Sequence, residues 1–258
     1  MSRASPVRPD LGGPFPAHIA VIMDGNGRWA ERQGLRRILG HREGIHSVRE
    51  ITTECARMGV DSLTLYAFSH ENWKRPAPEI RYLMSLLKRF LVDELPTLME
   101  NGVRLRAIGR LDDLPSGALR ELRSTEQQTA ANPGMVLRLA LSYGSRTEIA
   151  DAVREIAQDA RDGVLDPAQI DEETMRAYLY DPETPDPDLL IRTAGEMRIS
   201  NFLLWQISYA ELFVSQVCWP EFRRPHLLEA MRAYAGRKRK FGGLVADVAP
   251  RRTQGGSG

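Results

Sequence analysis

His18-Ile-Ala-Val-Ile-Met-Asp-Gly-Asn-Gly-Arg-Trp-Ala30 is the stretch whose reading decides the fold of this chain. An apolar run, Ile19–Met23, reads as a buried strand. It ends abruptly in Asp24-Gly25-Asn26-Gly27-Arg28, and a helical pattern follows. One carboxylate, one guanidinium and two flexible glycines therefore meet at the end of one strand. Glycine lets the backbone come close to a ligand, and the amides opening the next helix favour an anion. Asp24 cannot itself pair with a phosphate, but it can hold a divalent cation that does. The chemistry suggested is metal-assisted handling of a diphosphate. A purely structural strand-to-helix turn also uses glycine, and the local pattern leaves both readings open.

Outward from this stretch, strand-like and helix-like segments alternate. Further strands are expected at Leu63–Phe68, Val103–Ile108, Val136–Leu141, Leu189–Ile191 and Leu212–Val217. Helical stripes lie between them: Ile45, Val48, Ile51, Cys55 and Met58; then one continuous stripe from Ile80 to Met99; then Ile149, Val153 and Ile156. The pattern predicts an α/β fold with a mostly parallel six-stranded sheet flanked by helices. Asp181-Pro-Glu-Thr-Pro-Asp-Pro-Asp188 has the composition of a domain joint, but Leu189-Leu-Ile191 resumes a strand at once, so it reads as a surface loop. The expected organisation is a flexible arm over residues 1–16, one catalytic domain over 17–244 and a flexible tail over 245–258.

Composition narrows the class. The 258 residues allow one large core, with 42% hydrophobic content. Thirty-five Lys and Arg against 34 Asp and Glu leave no global field for nucleic acid. Local basic clusters, Arg28 to Arg42 and Gly236-Arg-Lys-Arg-Lys240, suit anions, though such runs are usually solvated helix faces. Cys55 and Cys218 are the only cysteines and form no CxxC, which argues against a disulfide framework or a zinc site. The proline-rich start has no apolar signal-peptide core, and no apolar run approaches bilayer length. A soluble, cytoplasmic chain is expected.

Polar residues follow the predicted strands in a consistent way. Asp24 follows the first; Ser69 with Glu71-Asn72-Trp73 the second; Ser142-Tyr143-Gly144 the fourth; Arg192 the fifth. Ligands of open parallel sheets bind outside the carboxyl ends of the strands, so one functional rim is expected there. The apolar stripe after Pro76 adjoins this rim. It is ordinary core by composition, and by adjacency a candidate lining for a hydrocarbon tunnel.

Three blocks carry a resemblance. His18–Ala30, Leu65-Tyr-Ala-Phe-Ser-His-Glu-Asn-Trp-Lys-Arg-Pro76 and Asp188-Leu-Leu-Ile-Arg-Thr-Ala-Gly-Glu-Met-Arg-Ile-Ser-Asn-Phe-Leu-Leu-Trp205 resemble the signature regions of cis-prenyltransferases. Tyr209-Ala-Glu-Leu-Phe213 and Trp219-Pro220 fit as well, and the likeness runs from about His18 to Gly243. It implies successive condensation of isopentenyl diphosphate onto an allylic diphosphate, typically farnesyl diphosphate. Each step forms a cis double bond and releases diphosphate, and the likeness points to a long product, undecaprenyl diphosphate. It also implies Mg²⁺ as cofactor, a homodimer, and peripheral contact with the inner face of a membrane for product release.

By the same resemblance, Asp24 would bind Mg²⁺ and assist departure of the allylic diphosphate, with Glu211 completing the metal site. Gly25, Asn26, Gly27, Arg28 and Trp29 would cradle that diphosphate, with Arg37 and His41 adding contacts. Ser69, His70, Glu71, Asn72, Trp73 and Arg75 belong to the block linked to substrate orientation and proton removal. Asn72 is the family's proton-acceptor assignment; a neutral amide is a poor base, which favours a relay or positioning role. Arg192, Arg198, Ile199 and Ser200 would bind isopentenyl diphosphate, for which planar guanidinium forks are suited.

Departures are few. Met197 stands where some members carry His, Ala194 replaces Gly or Ser, Ser145 replaces a second Gly, and Lys240-Phe241-Gly242 stands where many show Arg-x-Gly. Ala67, a small residue before the rim, resembles long-chain enzymes. Rival classes fit less well. Asp112-Asp113 is followed by Leu-Pro-Ser and fails the DDxxD pattern of helical trans-prenyl synthases. Gly25-Asn-Gly27-Arg-Trp-Ala30 matches the dinucleotide fingerprint only in degenerate form. A non-catalytic prenyl-diphosphate-binding subunit would be expected to lose Asp24 or the Arg192–Ser200 block. A short- or medium-chain synthase remains the alternative.

Overall fold

In a computed structural model, which describes residues 6–237, the six apolar runs form a single sheet. The strands are β1 (His18–Ile22), β2 (Ser62–Ser69), β3 (Arg104–Ile108), β4 (Val136–Tyr143), β5 (Leu189–Arg192) and β6 (Glu211–Val214). Their order is β3-β4-β2-β1-β5-β6, and every pairing is parallel. Parallel strands buried on both faces need apolar side chains in both directions. Thus Ile19 and Val21 of β1 enter one core cluster, while Ala20 and Ile22 enter another across the sheet.

Helices cover both faces. They are α1 (Asn26–Arg32), α2 (Arg37–Met58), α3 (Ala77–Asp93), α4 (Leu95–Glu100), α5 (Ser116–Thr129), α6 (Ser145–Arg161), α7 (Glu172–Ala177) and α8 (Arg224–Ala235). From β1 the chain moves outward to β2, and from β5 it moves the opposite way to β6. The carboxyl ends of β1 and β5 therefore flank the place where the winding reverses, the standard ligand crevice of such sheets.

The continuous stripe expected from Ile80 to Met99 is broken. α3 stops at Asp93 and α4 starts at Leu95 with Pro96 in its first turn, because proline supplies no amide to continue the ladder. Glu94, at the break, is buried and takes a bidentate pair of bonds from Arg49 of α2. In the third stripe Ile156 is buried and Ile149 packs beside it as expected, but Val153 is half exposed and Ala152 is buried in its place. The proline-rich 181–188 loop is tied into the body: Asp188 Oδ2 accepts from the amides of Ala17 (2.8 Å) and His18 (3.1 Å). Residues 6–16 form neither helix nor strand, yet Leu11 and Phe15 pack on the core and the Val7 amide donates to Arg57 O. The 245–258 tail, Lys240-Phe241-Gly242 and most of the second basic cluster lie outside the described residues. Among those described, no helix is long and apolar enough to cross a membrane.

Candidate active site

The loop after β1 is held by its backbone. The Asp24 amide donates to Thr193 Oγ1 (2.8 Å), and the Asp24 carbonyl accepts from Thr193 Oγ1 (2.7 Å) and the Trp219 amide (2.9 Å). Gly25 has φ +94°, and a Cβ there would lie 2.7 Å from both Ala194 Cβ and Cys218 Sγ. Only glycine satisfies both constraints. A Cβ on Gly27 would lie 2.8 Å from the Arg37 guanidinium, which brings Arg37 against the loop. Trp29 contributes structure, its amide closing the first turn onto Gly25 O.

Guanidinium groups converge on the Asp24 carboxylate. Arg192, almost wholly buried, donates from Nη2 to Asp24 Oδ2 at 2.8 Å and from Nη1 to Ser200 Oγ at 2.7 Å. Arg198 Nη2 and Arg28 Nη2 each lie 3.9 Å from Asp24. Arg28 is also 3.0 Å from Glu196, which pairs with Arg198 too. The loop between β5 and β6 achieves this with left-handed backbone at Ala194, Ser200, Asn201 and Leu203. Non-glycine residues in that region cost about 1–3 kcal/mol each, and such strain persists only where the surroundings over-determine it. Ile199 is partly buried and packs, like Tyr66, against the core cluster that holds Phe202.

Directly beside the charged loop lies an apolar cavity of about 190 Å³ between α2, α3 and the sheet. Met23 and Asn26, which flank Asp24 and Gly25, line it together with His41, Asn72 and Arg75. Ala67, Phe68, Leu83, Leu87, Phe90 and Leu139 are among its other lining residues, with Ala67 exposed and Phe68 and Phe90 buried. Burial, with Arg75 and Arg37 nearby, lowers the His41 pKa to about 4, so its imidazole is neutral at pH 7. Asn72 sits on a short 3₁₀ turn, His70–Lys74, and its Oδ1 accepts the Ser69 amide at 3.0 Å in a capping box. The Asn72 carbonyl is thereby committed to holding the turn. Asn26 Oδ1 is buried with no partner.

The comparisons decide what such a site belongs to. The family model described as "Putative undecaprenyl diphosphate synthase" matches residues 22–242. An isoprenyl transferase from Heliobacterium mobile is 52% identical over 230 residues, spanning 89% of this chain and 88% of that one. The chain belongs to the undecaprenyl diphosphate synthase family of cis-prenyltransferases. Among solved structures, a lavandulyl diphosphate synthase from Lavandula x intermedia, in complex with dimethylallyl diphosphate, superposes with TM-score 0.86. It is 36% identical, and the match covers 88% of this chain and 98% of that one. A "probable undecaprenyl diphosphate synthase" from Campylobacter jejuni gives TM-score 0.73 at 32% identity, covering 89% and 99%. The resemblance read from the three sequence blocks is thus established.

Within this prenyltransferase, one expected pairing is not assembled in a single chain. Glu211 opens β6, level with Leu189 and Ile19 at the amino end of the sheet, and pairs with Arg237. Asp24 lies beyond the carboxyl end of β1, about 16 Å further along at roughly 3.3 Å per residue. Among the described residues, no three His, Cys, Asp or Glu side chains are placed to hold a metal ion.

Several residues were not anticipated as part of the site. Glu196 is the second carboxylate of the rim. Thr193 clamps the Asp24 backbone. Asn201 joins three segments, donating to Glu71 Oε1 (2.8 Å) and accepting from the amides of Arg146 and Ser145 (2.8 Å each). All three lie inside a block read for its arginines, but nothing in residue type separates a clamp from a ligand there. His70 stays near this junction, its Cβ 3.6 Å from where a Gly144 side chain would begin, with Nδ1 buried and unpartnered.

Proposed function

We propose that this chain extends an allylic diphosphate, farnesyl diphosphate by preference, with isopentenyl diphosphate units to a long cis-polyprenyl diphosphate of the undecaprenyl class. The observation that carries this reading is the adjacency of a guanidinium-rich head site at Asp24 to an apolar cavity lined in part by its neighbours Met23 and Asn26. One end suits a diphosphate and the other a hydrocarbon.

The step breaks the bond between the allylic carbon and its diphosphate, joins that carbon to the terminal alkene carbon of isopentenyl diphosphate, and sheds one proton. Arg28 and the glycine loop take the departing diphosphate; Arg192, Arg198 and Ser200 hold the incoming one. Holding both supplies the orientation, and fixed cationic groups stabilise the charge that develops on the leaving oxygen. Mg²⁺ usually sits on one or two carboxylates plus substrate phosphates, so a site offering Asp24 without a full protein cage fits it. When bound, the ion adds Lewis-acid stabilisation of the leaving diphosphate. Asn72 positions the alkene region while its own carbonyl is engaged; neutral His41, which lines the same cavity, can take up the proton, whereas Arg75 is a permanently charged donor.

Tail burial drives elongation. At about 0.8 kcal/mol per buried CH₂, each five-carbon unit gains roughly 4 kcal/mol while there is room. A cavity of about 190 Å³ is smaller than typical ligand pockets of roughly 300–1,000 Å³, so a long tail requires the side chains of α3 to part.

The test is incubation with farnesyl diphosphate, labelled isopentenyl diphosphate and Mg²⁺, with an EDTA arm. A metal-dependent long ladder is expected. Products ending after one or two additions would support a short-chain synthase, and no incorporation with any starter would overturn prenyl transfer. A homodimer with peripheral membrane contact completes the proposal.

A further inference from the structure

Asp113 lies on the short turn after β3, residues Leu111–Asp113, outside the charged rim and the cavity lining described above. It nevertheless ends a directional hydrogen-bond chain that begins at the site. Trp73 Nε1 donates to Ser142 Oγ at 2.9 Å, and the Ser142 hydroxyl donates to Asp113 Oδ2 at 2.6 Å. An indole is a donor only and a hydroxyl has a single proton, so the third member must be an acceptor. A carboxylate is the strongest acceptor available, and by drawing on the hydroxyl proton it makes Ser142 Oγ a better acceptor for the indole.

Two further observations make this more than a surface contact. Ser142 is 1% exposed and has φ +45°, left-handed backbone at the very end of β4. A non-glycine residue held there is over-determined by its neighbours. Trp73, in turn, lies in the 3₁₀ turn that carries Asn72, and its ring meets Phe68 edge-on with centroids 4.9 Å apart. Asn72 and Phe68 both line the cavity. Two lining residues of the cavity therefore lean on one indole.

We infer that Asp113 and Ser142 are positioning residues for prenyl transfer, fixing Trp73 so that Asn72 and Phe68 keep their places beside the reacting tail. This rests on the proposed function. The diphosphate groups at Asp24, Arg28 and Arg192 are not touched by this chain, so turnover responds and head-group affinity does not.

The experiment uses the full chain with ¹⁵N-labelled tryptophan. It has four indoles, Trp29, Trp73, Trp205 and Trp219, and the Trp73 signal is assigned from Trp73→Phe. Ser142→Ala should shift that signal alone and lower kcat about tenfold, as small misplacements at a reacting centre do, with KM for both diphosphates within twofold. Asp113→Asn, whose amide oxygen still accepts the hydroxyl proton, should move both readouts the same way by less. Ser142→Gly removes the hydroxyl but accommodates the positive φ; it should lose as much kcat as Ser142→Ala. An unmoved Trp73 signal, full activity in Ser142→Gly, or a shift of all four indoles with KM rising alongside would overturn the inference. The two readings fail separately: an inactive wild-type chain overturns prenyl transfer, whereas an unmoved indole overturns the anchoring.

Discussion

The head site and the tail cavity share a border at Met23 and Asn26 but are built by different means. Around Asp24, position is set by backbone: Gly25 at φ +94°, the Thr193 clamp, and a β5–β6 loop held in left-handed conformations. The cavity instead is lined by α2, two strands and Leu, Met and Phe side chains of α3, a helix that ends in a break at Glu94. Such side chains repack at modest cost, whereas a loop held in left-handed backbone conformations does not. On the proposed function, the chemistry is fixed where the chain is rigid, and the product length would be set where it yields.

The sharpest way to break this contrast is Asp24→Ala. It removes the rim carboxylate and leaves the buried Arg192 without its ionic partner. Turnover should fall roughly 10³-fold, by the measure of losing one preorganised electrostatic group together with the proposed Mg²⁺ ligand. Retained circular dichroism alongside lost incorporation is the expected result; retained turnover would remove Asp24 from the mechanism.

Arg192→Lys probes the same side more gently. Arg192 bonds Asp24, Ser200 and the Arg198 carbonyl at once, which a point-charge ammonium cannot reproduce. A loss of about 10²-fold in kcat/KM for isopentenyl diphosphate is expected in steady-state assays. A lysine variant with full kcat/KM would place that substrate elsewhere.

How far each region was legible follows from what fixes it. Continuous apolar runs such as Ile19–Met23 and Val136–Leu141 announce strands covered on both faces, and the winding of those strands announces the rim. The α3–α4 break was missed because Leu91, Leu95 and Leu98 keep helical spacing through Pro96; periodicity sees faces and overlooks the lost amide. Glu211 follows the Arg192 block closely in sequence, yet in an all-parallel sheet a new strand begins at the end opposite the rim. Trp73 and Ser142 were legible as rim residues, but the bonds that join them to Asp113 had no sequence signal, since the three lie on separate elements.

Acidification sharpens the contrast from the side of stability. His18, the first residue of β1, and His41, in the cavity lining, both have pKa values lowered to about 4 by burial. Unfolded imidazoles titrate near 6.5, so between those values the unfolded chain binds more protons. The stability they provide is complete above about pH 6.5 and drains as pH falls toward 4, by a few kcal/mol. The thermal midpoint should drop between pH 7 and pH 5. His41→Gln should flatten only part of that slope, because His18 stays fixed between Pro185 O and Thr64 Oγ1. An unchanged slope in His41→Gln would mean that His41 is solvated.

The smallest effect on rate should come from Ala67→Leu, and it is the most direct test of the yielding region. Ala67 lines the cavity at the point where the β2–β4 register slips between Tyr66 and Phe68. A leucine there adds three carbons to a space of about 190 Å³ and leaves the Asp24 loop untouched. The first condensation should keep its rate within about threefold, since overpacking of an open cavity costs about 1–3 kcal/mol at most and part of that is relieved by α3. The product ladder should shorten, because each later unit forfeits some of the roughly 4 kcal/mol that burying five carbons provides. A ladder of unchanged length at unchanged rate would mean that the tail does not pass Ala67, and the cavity between α2 and α3 would lose its role as the ruler.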